Sequence, residues 1–176
     1  MLRAVDAAKF FIYLMQGDEN DLTNTKLNKL LYYAQGHSLE HNGNPLFADK
    51  IEAWQYGPVV PNVYHKYKND DILTCDDSSL DLSKYSDEDQ VIMIDVAREL
   101  GKYSASELTN MTHRPGTPWT KFYDQDSRHV EIPKEELKAY FKKHPVKPFE
   151  VDFSGMEEAG YRDEEGHYVI KKGYEW

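Results

Sequence analysis

A single cysteine, Cys75, in 176 residues leaves no partner for an intramolecular disulfide and no set of thiolates for a metal centre, a pattern that fits a reducing compartment. No stretch approaches the ~18 apolar residues of a membrane span. Arg3, Asp6 and Lys9 interrupt what would have to be the apolar core of an export signal. The chain therefore reads as cytoplasmic and without a membrane partner. It also lacks a lysine and arginine block, and with a net charge of −10 it has no electrostatic footprint for a phosphate backbone, which argues against direct nucleic-acid binding. The helix-turn-helix or basic arm of a transcription regulator is missing too. There is no glycine-rich phosphate loop and no G-x-S-x-G elbow, and Cys75 sits in an acidic loop that disfavours its thiolate. No internal repeat or low-complexity segment is visible.

What the chain has is length for one domain with a sizeable core, by usual scaling burying about 70% of the surface its unfolded form exposes. Charge is uneven: the first 70 residues hold 8 acidic and 7 basic side chains, the rest 23 and 14. Aromatic residues are plentiful, with 13 tyrosines, more than a core this size easily satisfies.

Apolar periodicity predicts helix after helix. Ala4, Ala7, Ala8, Phe11, Leu14 and Met15 form a first amphipathic stripe that ends at Gly17. Leu27, Leu30, Leu31, Ala34 and Ser38 form a second, capped by Thr23, Asn24 or Thr25 and stopped at 41–45. Ile51 to Tyr56 reads as extended, Gly57-Pro58 as a bend, and Pro61 as the first residue of a helix with Val63, Tyr64 and Tyr67 inward. Ser86 with Asp89 and Ser104 with Glu107 are capping boxes, Thr117-Pro118 opens another helix, and Pro133 starts one that uses Leu137, Tyr140 and Phe141. The fold class expected is mainly α-helical: a single compact helical domain over residues 1–144 with minor short β elements. Residues 145–176 form a C-terminal extension, a β-hairpin or partner-binding arm in which Gly160-Tyr161 and Tyr168 to Ile170 flank a polar turn.

Several ordered blocks resemble the Panacea domain, a family known from bacterial and phage toxin–antitoxin loci. They are Lys29 to Gly36 (KLLYYAQG), Pro45 to Phe47, Ile51 to Trp54, and Tyr56 to Pro61 (YGPVVP) followed by Val63-Tyr64. A weaker echo runs through Leu108 to His113 and Pro118-Trp119, so the likeness spans roughly residues 1–125. The resemblance implies an antitoxin that binds a cognate protein toxin, encoded beside it, and neutralises it by direct occlusion, with no reaction performed and no cofactor. It equally allows a proteolytic adaptor that delivers a toxin to a protease. Tyrosine and tryptophan anchor protein interfaces, so Tyr33, Trp54, Tyr56, Gly57, Pro58, Tyr64, Tyr67 and Trp119 are the residues expected around a toxin-receiving groove at the Gly57-Pro58 bend.

One motif argues for an enzyme instead. His37, Glu40 and His41 match H-x-x-E-H, in which two histidines on one helical face hold zinc and the glutamate activates its water. The family pattern does not call for this pair, no third ligand stands out, and the helix is about to end at Asn42-Gly43. Zinc hydrolysis is kept as the enzymatic alternative.

Overall fold

The computed structural model describes residues 1–17, 22–70, 72–74, 80–127, 129–148, 160–162 and 168–170. The acidic loop around Cys75, the stretch from Phe149 to Phe153, and the terminal Tyr174 and Trp176 lie outside them. The elements run α1 (Ala4–Leu14), α2 (Asn24–His41), β1 (Glu52–Trp54), β2 (Gly57–Val59), α3 (Pro61–Tyr67), α4 (Asp87–Leu100), α5 (Ala105–Thr112), α6 (Pro118–Phe122), β3 (Val130–Glu131), α7 (Lys134–Phe141), β4 (Gly160–Arg162) and β5 (Tyr168–Ile170). The fold is mainly helical, as the periodicity predicts.

Local signals form as read. Thr23 accepts from the Lys26 amide at the start of α2, and Pro61 is the first residue of α3. Ser86 with Asp89 and Ser104 with Glu107 make reciprocal capping boxes, each satisfying amides that the first helical turn leaves without partners. Thr117 caps α6. β4 and β5 pair antiparallel, Gly160 with Ile170 and Arg162 with Tyr168, which is the hairpin expected near the C-terminus.

Helix α2 is the axis of the molecule, packed by α1, α3, α4, α5, α7 and β2. An apolar stripe predicts one buried face, yet burial runs round the helix. Lys26, Asn28, Lys29, Gln35, His37 and Ser38 are as enclosed as Leu27, Leu30 and Leu31. A helix wrapped on all sides needs partners for its polar side chains, and four of them reach the backbone of the segment that follows. Asn28 Oδ1 accepts from the Val60 amide, Lys29 Nζ donates to the Pro58 carbonyl, and Ser38 Oγ donates to the Asn44 carbonyl. Gln35 takes both sides of one residue, donating to the Phe47 carbonyl and accepting from the Phe47 amide. The blocks that resemble Panacea are thus the parts that hold each other: the helix grips the loop and the hairpin that follow it.

β1 lies between β2 and β3, antiparallel to both, with Glu52 opposite Val59 and Glu131. The bend expected at Gly57-Pro58 falls two residues earlier. Gln55 and Tyr56 are the turn, Trp54 pairs with Gly57, and Gly57 and Pro58 are buried within β2. Gly57, the first residue of β2, takes φ +105°, a conformation that residues with a side chain rarely adopt. β2 is an edge strand, where proline is tolerated. Lys29 and Asn28 meet the outward-facing Pro58 carbonyl and Val60 amide where a fourth strand would.

Candidate functional site

Between the first half of α2 and the hairpin lies a cleft of about 560 Å³. Buried Asn28, Lys29, Ala53 and Val59 form its floor, half-buried Trp54, Tyr64 and Tyr123 its walls, and exposed Thr25, Gln55, Tyr56, Asp124, Gln125 and His129 its rim. Trp54 is the hub of the wall: its ring lies 4.9 Å from Tyr64 and 4.6 Å from His129, and its indole N–H donates to Glu52.

Of the eight residues expected at a groove, Trp54, Tyr56 and Tyr64 line the cleft. Gly57 and Pro58 lie behind its floor, where a Cβ on Gly57 would stand 2.6 Å from Lys29 Cε, so the glycine lets the lysine stem pass beneath the hairpin. Trp119 is a brace. It is buried, its indole donates to the Trp54 carbonyl at 2.8 Å, and its ring stacks on Tyr123 at 4.5 Å. His113 props the same turn, with one ring nitrogen 2.6 Å from the Thr109 carbonyl and the other 3.4 Å from the Gln55 carbonyl. Tyr33 packs edge-on against Phe141, and burial pushes its phenol pKa up. Tyr67 packs against the core under the Lys66 ammonium. Neither Tyr33 nor Tyr67 is among the lining residues.

The geometry gives the zinc reading no support. His37 is 2% exposed, with Nε2 3.4 Å from Asp95 of α4 and Nδ1 3.6 Å from Glu40 and without a hydrogen bond among the described residues, while His41 is exposed. Among the described residues no group of three or more His, Cys, Asp or Glu side chains is placed to hold a metal.

Sequence reasoning missed Lys29 as a site residue, because lysine on a helix reads as solvent-facing. It is 1% exposed, and burial brings its pKa down from 10.5 to about 7. Among the described residues its hydrogen-bond acceptor is the Pro58 carbonyl and no carboxylate pairs with it. Above about pH 7 the native state gives up a proton that the unfolded chain keeps to about pH 10, so stability rises with pH across that window. The wild-type protein is expected to gain about 2 kcal/mol relative to Lys29→Met between about pH 7 and pH 9, read as the difference in urea-unfolding free energies. A constant difference would contradict a desolvated ammonium.

The family model described as "Antitoxin SocA-like, Panacea domain" matches residues 27–120. The chain belongs to this Panacea antitoxin family. Antitoxin SocA of Caulobacter vibrioides (strain NA1000 / CB15N) is 35% identical over 113 residues, covering 56% of this chain and 58% of that protein's length. No solved structure matches. The Panacea region holds the cleft floor, the hairpin and both braces, His113 and Trp119. Thr25, Tyr123, Asp124, Gln125 and His129 come from outside it. Among the described residues no helix is long and apolar enough to cross a membrane.

Proposed function

We propose that the protein is an antitoxin that binds a protein toxin encoded beside it, and neutralises it by occlusion without catalysing a reaction on it. Membership of the Panacea antitoxin family carries this reading. The cleft supports it with an aromatic contact surface mounted on a braced hairpin, the kind of semi-rigid anchor that contributes most of the binding energy at protein interfaces. The net charge of −10 favours fast encounter with a basic partner and an on-rate that falls with added salt.

The test is co-expression with each neighbouring reading frame, scoring growth rescue and co-purification, followed by a protease-free assay of the toxin's target reaction. Rescue, a stable complex and restoration by the purified chain alone are expected. Rescue that requires a cellular protease would replace occlusion with delivery for degradation.

Tyr56 is 69% exposed at the tip of the hairpin, so its removal should leave the fold intact. Tyr56→Ala is expected to weaken toxin binding by at least about tenfold, roughly 1.4 kcal/mol, with an unchanged unfolding midpoint. Calorimetric titration of the purified toxin reads it, and unaltered affinity would remove the hairpin tip from the interface.

A further inference from the structure

We propose that the cleft receives one acidic side chain of the bound protein, its carboxylate seated on Lys29 Nζ. This deepens the toxin-binding reading and rests on it for the identity of the partner. An ammonium has three N–H donors, and among the described residues Lys29 spends one, on Pro58. A lysine enclosed to 1% exposure at the cleft floor, with no carboxylate paired to it among the described residues, is a costly arrangement for a residue that only holds an edge-strand carbonyl. In its protonated form Lys29 has two N–H groups left over, and an anion arriving from outside would both accept from them and hold the proton in place.

The surroundings set the class of that anion. The floor offers a single cation, and the nearby rim carries Asp124 and the Glu52–His129 pair, so a dianion such as a phosphate would be left undercompensated while a monoanionic carboxylate balances. Tyr56, Tyr64 and Tyr123 line the cleft and supply aromatic walls for the stem that carries the carboxylate. The volume of about 560 Å³ falls within the range of about 300–1,000 Å³ typical of ligand clefts, room enough for a short peptide turn. A chain with ten excess negative charges repels acidic surfaces in general, so one buried cation at the contact selects a single carboxylate in a partner that is otherwise basic.

The experiment needs no toxin. Full-length protein carrying 13C-labelled lysine is titrated with acetyl-Ala-Glu-Ala-amide and, separately, with acetyl-Ala-Gln-Ala-amide at one pH near 6.5, following the lysine Cε resonances. Lys29→Met identifies the Lys29 signal by its disappearance. The expected result is a saturable shift of that signal with the glutamate peptide and at least tenfold weaker binding of the glutamine peptide. Equal responses to the two peptides, or no saturable shift of the Lys29 signal, overturn the proposal. Both are read on the unmodified chain, and should Lys29→Met be unstable, the Lys29 signal is also the one that titrates near pH 7. Failure of toxin binding in the co-expression test would overturn occlusion and leave the peptide result standing, so the two readings fail separately.

Discussion

Gly36→Ala is expected to destabilise the protein by about 3 kcal/mol or more, at the upper end of the cost of overpacking a core. A Cβ at this position lands within the Phe141 ring, where α2 packs against α7. The ring cannot step aside: it is 1% exposed and is fenced edge-on by Tyr32 at 5.6 Å, Tyr33 at 5.8 Å and Tyr140 at 5.3 Å. The alternative is for α7 to back away, which opens the contact along its whole length. Urea unfolding measures the effect. The same substitution in a Phe141→Leu background should cost much less than it does alone, because the two residues compete for one volume. A cost below about 0.5 kcal/mol in the wild-type background would mean that the helices are not so tightly apposed.

Gln35→Ala is expected to cost about 2–5 kcal/mol, because it strands two backbone groups at once. The Phe47 amide and carbonyl both pair with the Gln35 amide inside the protein, and each buried polar group left without a partner costs about 1–3 kcal/mol. The damage should spread to the amino terminus. Leu46 accepts from the Leu2 amide, Leu2 bridges to Phe47, and Asp49 accepts from the first amide of α1, so the clasped loop is also the seat of α1. Gln35→Glu gives a sharper check. A carboxylate accepts from the Phe47 amide but has no proton for the carbonyl, whereas the neutral acid has one. Burial and the facing carbonyl raise its native pKa, so relative to wild type the variant keeps most stability below about pH 4 and loses it as pH rises through that raised value. A wild-type-like pH profile would show that Gln35 does not donate to Phe47.

Much of the fold is legible in the sequence because its signals are local. A cap needs only a residue and the amide three positions on, as at Ser86 with Asp89, and an amphipathic helix declares itself within two turns. The polar side chains of α2 were illegible for the opposite reason. Gln35 finds its partner 12 residues away, Lys29 finds its own 29 away, and Asn28 32 away, and in each case the partner is a backbone group with no side-chain signature. Pro58 suggested a bend because proline usually marks one, yet it sits in an edge strand whose missing N–H breaks no pairing. The aromatic residues divide along the same line. Composition flags Trp54, Trp119, Tyr33 and Tyr64 alike, and only packing separates the wall of a cleft from the brace behind it. Tyr123, Asp124, Gln125 and His129 join the cleft from more than 60 residues beyond the hairpin, a juxtaposition with no local trace.

The clamps of α2 and the rim of the cleft place different demands on heredity. Asn28, Lys29, Gln35 and Gly36 each meet a fixed atom inside the protein, so a substitution there is judged by the fold before any partner is met. Gln55 and Tyr56 stand at an exposed turn beside strand ends held from beneath by Trp119 and His113. Changes at this turn leave the scaffold untouched, and exposed turns tolerate variation in general. If the cleft is the contact surface proposed above, such a lineage exchanges one binding partner for another by small steps, without passing through an unfolded ancestor.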